Sequence, residues 1–558
     1  MRVTIANFGG LVPRLSSHNL GEIHASIAHD VKLRNGRLEP WREPCEFASV
    51  GASAASFHLH GCCALSWDKI VTAAEFAPDW GRFYITGRND YAEAVVVADK
   101  SACTPTYFRL GVPAPSTPPA AHGAGACGRA ADARAYVYTY VNAWGEESAP
   151  SPPSNIITVE DGSTVTVTGI SLPPEGYGIR YANLYRAATG FRQTDAKSQK
   201  PLTDYLYVAT IEFPTTMYTD TVMMKGLSLP LSTEKVRMPP EGLRNITRIE
   251  GVARLAGTTR NRVHLSENFQ PHNWPVKYDL TLESNIVHMA ALDQRLFVTT
   301  DTVPYVIDVS NCDDTKCTPV LDVGVPLPDI SCGYASSAVM TPHGYIYSTP
   351  LGLVLIDPAA KWHLLTYKWF SEDDWAQVQP DTVRLGYWEG FLMCVTNAVT
   401  FILNIDGDPY GDMRDAELST LSDSPVDLRT SNTGKLFMLQ DGVIRVWNSG
   451  DTYRPFHWVS RELTGGTGGV GNGRMPQQGD PLGCLWSPVS AKVRTVDTEF
   501  TLISPVRHPA YRRKVIREKP FRLPRVGRHM WYKVELKGQH PVEFVDLGTA
   551  HFTVNDGV

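Results

Sequence analysis

The sequence predicts an all-β protein: a β-propeller of about six blades, an inserted fibronectin- or immunoglobulin-like β-sandwich, and a β-rich C-terminal region. Three observations carry this. A hairpin pattern recurs with a period near 45 residues, about 100 residues between two copies are dense in short alternating strands, and helical periodicity is nearly absent.

The repeat is a Gly-type turn, an apolar-rich run, a second turn and another β-rich run. Five copies are GVARLAGTTRNRVHLS from Gly251, RLFVTTDTVPYVID from Arg295, GYIYSTPLGLVLID from Gly344, GFLMCVTNAVTFILNID from Gly390 and GKLFMLQDGVIRVWN from Gly434. Their starts lie 44, 49, 46 and 44 residues apart, which is the blade period of a propeller. A sixth copy, GRFYITGRNDYAEAVVV from Gly81, stands far upstream, so the chain is expected to leave the propeller and return. Between these parts, AYVYTYVNAWGEESAPSPPS alternates aromatic and polar residues, and ITVEDGSTVTVTGI places Asp-Gly between two β-branched runs, a hairpin signal. Six or seven strands in that stretch predict the sandwich. The expected order is an N-terminal segment 1–50, a first propeller portion 51–110, a Pro/Ala/Gly-rich linker 111–130, the sandwich 131–232, the main propeller portion 233–450 and a C-terminal region 451–558 with a Gly-rich loop. One short helix is expected in the first segment, where Leu20, Ile23, Ile27 and Val31 fall at helical spacing.

A chain of 558 residues implies three to four domains, and 43% hydrophobic with 20% charged residues excludes a disordered chain. No apolar run reaches 18 residues, so no membrane-spanning helix is expected. The opening MRVTIANFGGLVPRL has no signal-peptide core, which makes a cytoplasm the expected site of synthesis and folding. Ten cysteines without a CxxC pair are too sparse for a disulfide scaffold or a zinc ribbon, so free thiols are expected.

Chemical motifs are few. GTGGVG at 466–471 matches GxGxxG but runs into NGRMPQQGDP, which cannot open the helix a dinucleotide needs. Asp406, Asp408, Asp412 and Glu417 fall at positions 1, 3, 7 and 12 of a calcium-loop pattern, with Tyr410 where an oxygen ligand is wanted; an acidic loop is the competing reading. Strand alternation puts His58, His60 and Cys62 on one face, a geometry a transition metal can use. No GxSxG, HExxH or Walker loop occurs, and neither an enzyme activity nor a cofactor is expected.

The net charge of −6 hides a split. Residues 507–537 hold eleven Lys or Arg against two acidic residues, whereas 1–506 are acidic by 12 charges. Arg512, Arg513, Lys514, Arg517, Arg522, Arg525 and Arg528 alternate with Tyr511, Phe521, Trp531 and Tyr532. Such a segment suits nucleic-acid phosphates or an acidic protein neighbour, against the plain alternative of a solvated strand face.

The opening NFGGLVPRLSSHNLGEIHASIAHDVKLRNGRLEPWREP, with Gly9-Gly10, Ala25–Ala28 and Gly36–Pro40, resembles the N-terminus of tail nozzle (tail tubular B-like) proteins of short-tailed bacteriophages. KPFRLPRVGRHMWYKVELKGQHPVEFVDLG resembles that family's closing pattern, and AYVYTYVNAWGEESAPSPPS resembles the fibronectin-like module common in phage structural proteins. The Gly-rich stretch 464–473 departs from the pattern. The resemblance implies a structural virion protein of the tail, assembled in the bacterial host cytoplasm. It implies a homo-oligomeric ring, usually a hexamer, that meets a portal-side adaptor and tail fibres or other tail proteins. Double-stranded DNA would pass through its channel, bound transiently and without sequence specificity. Two other classes compete: a secreted glycan-binding or glycan-cleaving propeller, and an intracellular propeller scaffold.

Overall fold

The computed structural model describes residues 2–549 except 17–18, 35, 78–79, 99–100, 125–130, 189–203, 228, 252, 312–314, 321–327, 331–335, 406–416, 432 and 465–484. The described residues form an all-β protein built on six four-stranded antiparallel blades, one of them continuous with a larger sheet. Each of the six repeat copies forms the central hairpin of one sheet. The Gly81 copy gives Arg82–Thr86 and Glu93–Val97, the Gly344 copy gives Gly344–Thr349 and Gly352–Ile356, and the other four follow suit. These strands are buried on both faces, as GLVLI at Gly352–Ile356 shows, because a blade packs between two neighbours. The chain divides into two compact units.

Unit 2 comprises 71–298 and 306–318. Its blades begin with Thr72–Glu75, Arg244–Ile249 and Ile286–Leu292, and these three first strands lie side by side. A buried cluster of Ala74, Tyr84, Leu243, Ile246, Leu255 and Trp274 joins the first two blades face to face. Between them in sequence comes the sandwich. Its sheets are Ala120–Gly123, Val165–Thr168 and Tyr218–Asp220 against Ile157–Glu160, Ala131–Asn142, Ile179–Ala188 and Leu206–Glu212. The expected linker 111–130 therefore supplies a strand, and Val112 and Ala121 sit in the sandwich core. Its Pro and Ala content reads as linker only until cross-strand pairing with Val165–Thr168 is available.

Unit 1 comprises 1–70, 299–305 and 319–558. Its first strands Ala338–Thr341, Arg384–Trp388 and Asp427–Thr430 are again adjacent. The outermost strand of the last blade is Cys45–Ser49, paired with Val443–Val446 about 400 positions later in the chain. A second sandwich closes the unit. One sheet holds Arg2–Ile5, Val31–Arg34, Arg37–Pro40, Val542–Gly548, Ser490–Thr495 and Phe521–Arg522. The other holds Ala25–His29, Phe456–Ser460, Trp531–Gly538, Thr498–Ser504 and Arg507–Val515, and continues through a parallel bridge, His29 to Thr420, into a blade. Phe8, Val31, Trp458, Phe500, Tyr532 and Val545 share its core. The first 40 residues thus fold with the last 100 rather than as a separate segment.

Two expectations are corrected here. The stretch 20–31 forms strands, not a helix: Ala25–His29 pairs with Phe456–Ser460, and Asp30 at φ 52° turns the chain into Val31–Arg34. Ile27 is 41% exposed, so the helical spacing marks no common buried face. The helix that does form, Glu372–Gln377, is set by a capping box in which Ser371 and Asp374 bond each other's backbone, and its buried Trp375 donates to the Thr349 carbonyl at 2.9 Å. Cysteine is the second correction. Cys63 and Cys103 each take part in a disulfide and are not free thiols, because pairing depends on spatial separation and not on sequence density. Cys394 remains a buried thiol, and burial pushes its pKa up.

Gly9 and Gly10 are close-approach positions. A Cβ on Gly10 would stand 2.3 Å from the Leu418 carbonyl oxygen, and one on Gly9 2.7 Å from that of Ile23. The Leu11 amide then reaches Leu418 O at 2.8 Å. Gly10→Ala is expected to cost about 2 kcal/mol, since the obstructing atoms are backbone on both sides. Urea unfolding followed by tryptophan fluorescence checks this, and an unchanged midpoint would contradict it.

Candidate functional site

The basic segment runs along one side of the C-terminal sandwich. Arg507–Val515 is the edge strand of the larger sheet and Phe521–Arg522 is the edge strand of the smaller one. Alternation and pairing to Thr498–Ser504 set its register, with Arg512 opposite Thr501, Arg513 opposite Phe500 and Lys514 opposite Glu499. Val515, Phe521, Leu523 and Val526 point into the core and anchor the segment, which leaves the charged residues between them outside. Charged edge strands also discourage edge-to-edge pairing, so part of this pattern serves the fold.

The seven predicted residues, all exposed, divide into two groups. Arg512 Nε lies 3.3 Å from Glu499 Oε1, Lys514 Nζ lies 2.6 Å from Asp497 Oδ1, and the Arg513 guanidinium stacks 4.7 Å from the Phe521 ring centroid. These three are engaged within the chain. Arg517, Arg522, Arg525 and Arg528 have no carboxylate partner among the described residues. Glu518, beside Arg517, pairs instead with Lys492 at 3.0 Å and Arg494 at 3.4 Å. Exposed Ile516 and Met530 flank the four arginines. Arginine next to apolar surface is the composition of a contact patch, because the guanidinium is weakly hydrated and forks onto oxyanions.

The other candidates fare differently. Asp406, Asp408 and Asp412 lie outside the described residues, as does the Gly-rich stretch beyond Thr464; Glu417 is half-buried just before Leu418–Leu421. His58 and His60 sit on Ser56–His60, but the strand ends there and Gly61 turns at φ 62°, so Cys62 belongs to the turn and not to their face. Among the described residues no group of three His, Cys, Asp or Glu is placed to hold a metal ion.

One chain of polar groups escaped the sequence reading. His264 Nδ1 lies 2.8 Å from Asp279 Oδ1 and its Nε2 lies 2.7 Å from Thr259 Oγ1. The distances match an Asp–His–hydroxyl relay. Yet His264 is buried, both nitrogens are spent within one blade, and Thr259 does not line the neighbouring cleft. The arrangement ties the Arg254–Thr259/Arg262–Leu265 hairpin to the segment at Asp279. No spacing signal marks it, because the three residues meet only through the hairpin turn.

No protein-family model matches the chain, and no curated protein matches it. Among solved structures it is similar to the WD40 domain of Neurospora crassa Pan2, at 10% identity over 67% of this chain and 87% of that one, with a TM-score of 0.27. It is also similar to Hsv2 of K. marxianus, at 10% identity over 53% and 71%, with a TM-score of 0.24. The class the sheets themselves define is an all-β protein of propeller-type blades carrying two β-sandwiches. No membrane-spanning helix is present among the described residues.

Proposed function

We propose that this protein is a structural, non-enzymatic component of a short-tailed bacteriophage tail, a nozzle-type subunit that assembles into a ring conduit, retaining DNA and then passing it at ejection. The observation that carries the reading is the row Arg517, Arg522, Arg525 and Arg528, four exposed cations without a carboxylate partner among the described residues of an otherwise acidic chain. A heterologous contact with the acidic surface of a neighbouring copy satisfies them and closes by rotation, as a ring requires. Further support comes from the two stretches that resemble nozzle proteins. The opening and closing motifs are distant in sequence but share one sandwich, where Leu38 pairs with Val542. A portal-side adaptor and tail fibres are the further partners of this reading, the host cytoplasm its place of assembly, and a hexamer its oligomer.

Solvent-exposed pairs add only about 0–1 kcal/mol each, so the row acts through steering and register more than raw affinity. Reversing Arg517, Arg522 and Arg525 to Glu is expected to shift mass-photometry profiles of the purified protein from rings to smaller species, most strongly at low salt. Normal assembly of the triple variant would remove the interface assignment. Normal assembly with altered DNA ejection would move these arginines to the channel wall, where each phosphate contact adds to salt-dependent retention.

A further inference from the structure

The first sandwich meets the blade of the Gly81 copy across a seam within unit 2, and the seam is unusual in its charges. Arg82, on the central strand Arg82–Thr86, lies beneath the turn that follows Ala131–Asn142. Its Nη2 donates to Glu146 Oε1 at 2.6 Å, and both side chains are more than nine-tenths buried. Asn142 Nδ2 donates to Glu146 Oε2 at 2.6 Å, and the guanidinium is surrounded by the rings of Trp80, Tyr84 and Trp144 at 5.1, 5.6 and 4.6 Å. His272, from the next blade, brings Nδ1 to 3.7 Å from the same Glu146 oxygen, too far for a hydrogen bond. Three buried polar atoms here have no partner: Arg82 Nη1, Tyr84 Oη and His272 Nδ1.

A cleft of ≈ 400 Å³ is lined by Val112, Ala114 and Ala149 of the sandwich and by Met238, Trp274 and Val276 of the next blade, the one that supplies His272. Across the same seam the Arg109 amide donates to the Gly176 carbonyl at 2.8 Å, and Phe108 packs edge-on at 5.1 Å to Trp144, the ring that also covers Arg82. The seam is thus held by one backbone hydrogen bond, the ring contacts around Trp144 and one buried ion pair with His272 beside it.

We propose that Arg82, Glu146 and His272 form an acid-sensitive latch, which holds the sandwich against the blade at neutral pH and loosens it on acidification. The groups facing His272 are Glu146 and Glu147 from the sandwich turn and Arg82 from the blade strand. Burial pushes the His272 imidazole below its ordinary value, Arg82 pushes the same way, and Glu146 and Glu147 oppose. A depressed folded-state value means that the unfolded or opened state takes up the proton more readily. The stability that neutral His272 contributes is thus present above about pH 6.5 and is lost as pH falls from there towards the depressed value. Protonation in the closed seam sets a second cation beside Arg82, in competition for one carboxylate. Opening the seam hydrates all three groups, including the orphaned donors.

Hydrogen–deuterium exchange on the full-length chain tests this. Between pH 7.5 and 5.0, after correction for intrinsic exchange, peptides covering 82–86 and 142–148 are expected to lose more than tenfold protection. The core of the C-terminal sandwich, such as 531–538, is expected to stay within twofold. In His272→Gln, which carries no proton to lose or gain, the 142–148 peptide is expected to show the same protection at both pH values. Equal protection of the wild type at both values, or a His272→Gln variant as acid-sensitive as the wild type, would overturn the latch. Should that variant misfold, histidine C2-hydrogen exchange on the wild type decides: His272 is expected to titrate below solvent-exposed histidines, and titration alongside them would equally overturn it.

Discussion

Asp220→Ala is expected to cost about 3–5 kcal/mol, because it strands a buried guanidinium. Arg186 Nη1 donates to Asp220 Oδ2 at 2.6 Å, and both side chains are completely inaccessible to solvent. The same carboxylate accepts the Tyr136 hydroxyl at 2.8 Å and the Val222 amide at 2.8 Å, so three donors of the first sandwich converge on it. Burial, with the Asp220 charge second, pushes the Tyr136 phenol far above its ordinary range, which leaves it a neutral donor. Arg186 Nε and Nη2 have no acceptor, so the pair is incompletely compensated even when intact. That makes a second outcome informative. Replacing both charges together, as Arg186→Met with Asp220→Leu, is expected to restore most of the loss, since a buried ion pair often adds little over a well-packed apolar pair. Pulse proteolysis in urea, scored on fragments from 131–232, measures both variants. A single-variant loss under about 1 kcal/mol would mean that water reaches this site and screens the charge.

The second large effect is expected at Arg454 in unit 1. Its guanidinium grips Asp423 with both Nη atoms, one at 2.9 Å, reaches Glu43 through Nε at 3.2 Å and has Asp30 at 3.7 Å. The Trp447 ring lies 5.0 Å away. Burial works against the charge here, but Asp423 and then Glu43 and Asp30 outweigh it and hold Arg454 protonated above its ordinary range. Arg454→Met keeps the apolar stem and removes the cation, leaving Asp423 and Asp30 buried side by side. A loss of about 3–5 kcal/mol is expected. The loss should appear in urea unfolding as a change in midpoint, and Arg454→Lys should recover only part of it, because an ammonium cannot fork onto Asp423. Full recovery by lysine would show that charge alone, without the bidentate geometry, sets the stability of this corner.

Much of the fold was legible. Each of the six hairpins lies where the repeat put it, because two short apolar runs around a tight turn specify an antiparallel pair locally. Arg512 and Lys514 pair within the chain, with Glu499 on the adjoining strand Thr498–Ser504 and with Asp497 in the turn just before it. That Arg517, Arg522, Arg525 and Arg528 meet none in the described chain was not legible. It depends on Lys492 and Arg494 drawing Glu518 away from Arg517. The failed helix at 20–31 has a similar origin. A run of four apolar residues at mixed spacing is compatible with either structure, and the choice fell to Phe456–Ser460, more than 400 positions away.

By itself, then, the sequence determined what is decided within about 20 residues: the strand-turn-strand units, their period, the sandwich strands from 131 onward and the basic composition of 507–537. Hydrophobic periodicity and turn chemistry are local, so they are written in the order of residues. The tertiary structure alone decided what depends on closure over hundreds of residues. It paired Cys45–Ser49 with Val443–Val446, joined the first 40 residues to the last 100 in one sandwich, and buried Arg82 with Glu146, Arg186 with Asp220 and Arg454 with Asp423. The physical reason is common to all of these. An unpaired strand edge or a buried charge has no preferred partner in the local chain, and it takes whichever complementary group the packing of the apolar cores brings within reach.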